Sequence, residues 1–83
     1  KVNDYIATFH THLAAIMAHR ALSALNISAR MMPVPRALSS SCGTCVRYSA
    51  EDAYTEAMGE DCECVFIVHP GKKEEYELIY SQE

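Results

Sequence analysis

Four cysteines carry the chemistry this sequence has to offer. Cys42 and Cys45 are spaced C-x-x-C, and Cys62 and Cys64 are spaced C-x-C. Close pairs in a chain with no visible secretory signal read as redox or metal chemistry in a reducing compartment rather than as a disulfide framework. Cys42 has the most distinctive surroundings. It lies in Ser39-Ser40-Ser41-Cys42-Gly43, a run of small residues that exposes backbone amides and hydroxyls. A thiol attacks as the thiolate, so cations or oriented N–H donors must favour that form. Ser40, Ser41 and Gly43 would supply donors, and Arg36 and Arg47 are nearby cations. The competing reading makes Cys42 a small apolar filler at a strand start; its place in a loop favours function.

Metal binding is the other chemistry these thiols allow. Cys42, Cys45, Cys62 and Cys64 would give four thiolates for zinc or an iron–sulfur centre. The first pair has knuckle spacing. The second is tighter than usual, shares one face if it lies on a regular strand, and has acidic neighbours in Glu60, Asp61 and Glu63. A metal would help so short a chain hold together, but no cofactor is favoured. Among the histidines, His10 and His12 fall at a strand-to-helix junction. There a helix N-terminus disfavours protonation of His12, leaving it as a site candidate or a polar end-cap. His19 reads as solvated on the helix flank, His69 as part of a turn, Met31 and Met32 as strand packing, and Lys72-Lys73-Glu74-Glu75 as an exposed turn.

The elements that must position these groups fit one domain over residues 1–83. At 83 residues the chain buries about two thirds of its unfolded surface. The apolar content of 49% and charged content of 22% are those of a globular chain. Net charge is −4, with the Lys and Arg residues scattered, which excludes the basic stripe of a nucleic-acid binder. No apolar run approaches the roughly 20 residues that cross a bilayer. The chain begins at Lys1 rather than Met, as after loss of a leader or tag. Cytoplasm is the expected location.

Residues 4–9 read as a strand rich in β-branched and aromatic side chains. Thr11 caps a helix over 12–25, with Leu13, Ile16, Met17, Ala21, Ala24 and Leu25 predicted on its buried face. Asn26 suits the left-handed position after the helix, and Ile27 would close that end. A strand over 28–32 ends at Pro33-Val34-Pro35, and a loop over 33–43 leads into a strand over 44–48. Ser49-Ala50-Glu51-Asp52 matches a capping box, predicting a second helix over 50–58 with Gly59 as its stop. Residues 65–68 form a buried strand. A type II turn at 69–72 precedes a last strand over 75–80 with Tyr76, Leu78 and Tyr80 on one face. The order β-α-β-β-α-β plus one extra strand near the C-terminus predicts an α+β ferredoxin-like sandwich. Its exposed edge would pair with a second copy as a homodimer.

The run Met32-Pro33-Val34-Pro35-Arg36-Ala37-Leu38-Ser39-Ser40-Ser41-Cys42-Gly43, then a strand and Ser49-Ala50-Glu51-Asp52, resembles the small bacterial family of selenium/sulfur (Se/S) carrier-like proteins. That family was first catalogued as a domain of unknown function. Phe9-His10-Thr11-His12 and Tyr76-Glu77-Leu78-Ile79-Tyr80 are also similar to its pattern, so the resemblance covers most of the chain. It implies a carrier without autonomous turnover, whose Cys42 thiol holds a persulfide or selenosulfide. A cysteine desulfurase-type donor would load it and an acceptor protein would unload it. Cys45 stands where many members have an aliphatic residue, which adds a candidate resolving thiol. Residues 60–73 run longer than the family's helix-to-strand connection. A zinc- or redox-dependent binding module built on the four cysteines remains the alternative.

Overall fold

The computed structural model describes residues 1–82. They form an α+β arrangement of one helix on one face of a five-stranded antiparallel sheet. The strands are β1 (Asn3–Phe9), β2 (Ser28–Pro33), β3 (Thr44–Ala50), β4 (Cys62–His69) and β5 (Glu75–Ser81), in spatial order β2-β3-β1-β4-β5. The helix, α1 (His12–Ala24), links β1 to β2, which run parallel with β3 between them. The extra C-terminal strand is present, as β5 on the edge beside β4. No helix among the described residues is long and apolar enough to cross a membrane.

The first helix forms as its caps predict. Thr11 accepts from the Ala14 N–H at 3.0 Å. At the other end Asn26 adopts φ 62°. The Asn26 N–H then donates to Ser23 O and the Ile27 N–H to Leu22 O, which is a complete Schellman closure. The buried face is not the predicted one. Ala15, Ala18 and Leu22 face the sheet, whereas Leu13 and Met17 are more than half exposed. Small residues win the contact because they let the helix approach a sheet already filled by Tyr5, Phe9 and Tyr48. His19 is half-buried rather than solvated, its Nε2 3.1 Å from Ala29 O.

The second helix does not form. Ser49 and Ala50 extend β3 instead, paired with Asp4 and Asn3 of β1. Ser49 donates to Asp4 Oδ1 at 2.5 Å and so cannot cap a helix. Tyr54, at φ 52°, breaks helical continuity, and only a 3₁₀ turn over Thr55–Ala57 remains. Met58 still reaches the core, and Gly59 at φ +83° ends the turn.

Two bulges decide which side chains share a face. The ladder pairs Thr8 with Cys64 but Phe9 with Cys62, so Glu63 is the extra residue in β4. Cys62 therefore points to the helix side and Cys64 to the opposite, open side, correcting the shared-face expectation. A second shift pairs Val65 with Tyr80 and Phe66 with Leu78. Tyr80 thus joins the helix-side core while Tyr76 packs on the open side with Ile6, Cys45 and Val68. His69 closes β4 rather than belonging to a turn, with Nε2 2.7 Å from Glu77 Oε1.

Candidate functional site

The site is built where the β2–β3 loop folds back over one end of the sheet. Pro33 and Pro35 withhold backbone donors, so the ladder stops after the Val34 N–H donates to Gly43 O at 3.1 Å. Gly43 takes φ +76°, a backbone L side chains rarely adopt, at the return into β3. Between these points the loop covers the open face, with Val34 and Leu38 packed on Ile6, Cys45 and Val68.

Three side chains pin the serine run. Ser40 donates to Phe9 O at 3.0 Å. The Ser41 N–H donates to Glu63 Oε1 at 3.2 Å, and the Ser41 hydroxyl donates to Glu63 Oε2. His10 Nδ1 lies 3.2 Å from the same Oε2. Burial alone would raise the Glu63 carboxyl. The Ser41 hydroxyl and amide, with His10, outweigh it and hold the acid below its ordinary value. The bulge is what aims this carboxylate at the loop.

Cys42 follows directly. Its half-buried thiol donates to Thr44 O at 3.4 Å and lies 4.0 Å from the Ser40 hydroxyl oxygen. His12 reaches the same corner, its Nδ1 3.3 Å from Thr44 Oγ1. Of the predicted binding residues, Ser40 lies beside the thiol, Ser41 and Gly43 adjoin Cys42 in the chain, and His12 contacts Thr44. Arg36 is exposed on the loop. Arg47 is committed elsewhere, on the open face, to Asp4 and Glu74 at 2.9 Å each.

Two of the other three thiols differ sharply from Cys42 in burial. Cys45 is fully buried on the open side, donates to Pro33 O at 3.7 Å, and is pushed up to about 11 by burial. Cys62 is fully buried on the helix side and pushed up to about 12, again chiefly by burial. Both resist thiolate formation. Cys64 is half-buried and lines a polar cavity of about 420 Å³ with His10, Ser39, Ser40, Ser41 and Glu63. Since Cys45 and Cys64 project from one side of the sheet and Cys62 from the other, the four sulfurs do not converge. No group of three or more His, Cys, Asp or Glu among the described residues is placed to hold a metal ion.

Sequence reasoning missed Glu63 as the anchor of the loop. It entered only as an acidic neighbour of the C-x-C pair, because its orientation depends on pairing between β1 and β4. His10 was legible as a junction residue, but not its carboxylate partner.

Two comparisons with known proteins, against curated chains and against solved structures, return no match. A third does: the family model described as "Putative Se/S carrier protein-like" matches residues 4–63. The matched span runs from β1 through the serine–cysteine loop to Glu63.

Proposed function

Since the chain belongs to the Se/S carrier protein-like family, we propose that Cys42 is its carrier thiol, holding a persulfide or selenosulfide between a donor and an acceptor protein. The observation that carries this is the contrast among the thiols. Cys42 alone combines partial exposure with a place on the pinned serine loop, while Cys45 and Cys62 are buried and pushed up. A carrier must attack a donor's sulfur and then present it, so it needs a thiol at a loop surface. The Ser40 hydroxyl lies beside the sulfur, and His12 meets Thr44, whose carbonyl the thiol contacts.

In this reading the protein has no turnover of its own. A cysteine desulfurase-type enzyme loads Cys42 in the reducing cytoplasm, and an acceptor protein removes the cargo. Cys45 is assigned no resolving role, because its thiol is buried and hard to ionise. We read the strand order, with α1 crossing between parallel β1 and β2, as a ferredoxin-like sheet whose second helix has shrunk to a single turn.

Incubation with a desulfurase and cysteine, followed by intact mass, tests the proposal. The reduced protein gains one sulfur atom and Cys42→Ser does not gain it from that donor. Equal loading of Cys42→Ser by the desulfurase overturns the assignment.

A further inference from the structure

The face of α1 turned away from the sheet is not covered by any other element. Leu13, Met17, Arg20 and Ala24 are all exposed there, at spacings of four, three and four, the seam that one helix presents to another. Leu13 and Met17 leave 65% and 56% of their surfaces open to water. Both also line a groove of about 260 Å³, together with Ala14, Met58, Glu60 and Asp61. An apolar patch with a charged border marks a contact surface rather than a scatter of exposed residues.

The charges around this face indicate what fits it. Arg20, Glu60 and Asp61 take part in no ion pair among the described residues. The two acids lie beside the N-terminal half of α1, and Arg20 lies in its C-terminal half. A second α1 laid antiparallel on the first, about a two-fold axis between Met17 and Arg20, sets Leu13 opposite Ala24 of the other copy. Met17 then faces Arg20 of the other copy, and each Arg20 lies beside the other copy's Glu60 and Asp61. The face is complementary to itself, which is what an isologous pair requires. A parallel arrangement would instead set Arg20 against Arg20.

We propose that this face of α1 pairs two copies of the chain antiparallel, with the Arg20 of each seated at the Glu60–Asp61 groove of the other. The arrangement keeps the cysteine loops apart. His12, at the start of α1, contacts Thr44, whose carbonyl the Cys42 thiol contacts. Antiparallel helices start at opposite ends, so the two Cys42 corners lie at opposite ends of the pair. A contact made by one 13-residue helix and one loop falls below the about 1,200 Å² of stable complexes, so the pair forms and dissociates readily. In dilute solution the chain is a monomer, and its unfolding there is that of the monomer. The pairing does not depend on what Cys42 carries.

Sedimentation of the reduced full chain over a wide range of concentrations, at low ionic strength, tests this. The mass should rise from monomer to dimer, and no further, as concentration increases. Met17→Glu should stay monomeric throughout, while an unchanged urea midpoint in dilute solution shows that it is folded. Arg20→Glu should weaken pairing about tenfold, the scale of losing one surface ion pair on each side of the two-fold axis and gaining repulsion there. Glu60→Arg/Asp61→Arg should weaken it similarly. An equimolar mixture of these last two variants should restore dimers, because every mixed pair regains opposite charges at both contacts. A wild-type chain that is monomeric at every concentration would overturn the proposal. A dimer that survives Met17→Glu would do the same, by placing the contact elsewhere, as at the β5 edge. So would a mixture that pairs no better than its components.

Discussion

A thiol's chemistry is set by where its charge would sit once the proton leaves. Cys45 and Cys62 would place that charge in apolar packing, beside Ile6 and Val68 in one case and Phe9 and Val65 in the other. Their elevated values are the energetic statement of that placement. At pH 8 a group titrating at about 11 is thiolate in only about one molecule per thousand. Native, reduced protein treated with iodoacetamide at that pH should therefore be alkylated at Cys42 and Cys64, with Cys45 and Cys62 reacting only after unfolding. Peptide mapping at successive times reads this directly. Alkylation of Cys45 at the rate of Cys42 in the native protein would remove the contrast on which the carrier assignment rests. The same residues show what a sequence discloses about a site. Cys42, Ser40 and Ser41 were visible as a local run, because loop chemistry is written in neighbouring positions. Glu63 was not, because its role arises from a partner more than 20 positions away.

At the scale of elements, local signals held where the local partner existed and failed where tertiary pairing competed. Thr11 and Asn26 cap α1 as their types dictate, since both act within a few residues. Ser49 has the type and spacing of an N-cap, yet its hydroxyl goes to Asp4 and its backbone to the β1 ladder. The ladder prevails over a capping box that has no long apolar helix behind it. The orientation of α1 was misread for a different reason. Leu13, Met17, Ala21 and Leu25 recur with helical period, but so do Ala15, Ala18 and Leu22, and periodicity does not say which stripe meets the sheet. Mutation separates the two stripes. Leu22→Ala should cost about 2–5 kcal/mol, as for a fully buried leucine left with a cavity. Met17→Glu, on the exposed side, should stay within about 0.5 kcal/mol of the wild type. Urea unfolding measures both. A large loss from Met17→Glu would mean that the predicted face, not the observed one, is the buried one.

For the molecule as a whole, one cation ties together the open face. Arg47 from β3 bridges Asp4 of β1 and Glu74 just ahead of β5, and the Tyr76 hydroxyl also donates to Glu74. Asp4 is lowered by the Ser49 hydroxyl first and Arg47 second, and Glu74 chiefly by Arg47. Glu63 is lowered at the opposite end of the sheet by Ser41. For each, the folded value lies below the unfolded one, so its stabilisation is present above the unfolded value, about 4. It is lost as pH falls through the folded value. A counter-effect comes first on acidification from neutrality, because the net charge of −4 shrinks toward a pI of about 5.5 and self-repulsion eases. The urea midpoint should therefore change little from pH 7 to about 5 and fall steeply below about 4. In Arg47→Met the midpoint at pH 7 should be lower and the acid decline shallower, because Glu74 loses its chief partner and Asp4 keeps only the Ser49 hydroxyl. The decline should not vanish, since Glu63 keeps its own anchor at the cysteine loop. A decline as steep in Arg47→Met as in the wild type would show that the open-face ion pairs contribute nothing to acid stability. The Ser49–Asp4 hydrogen bond and the loop anchor would then be left to account for it.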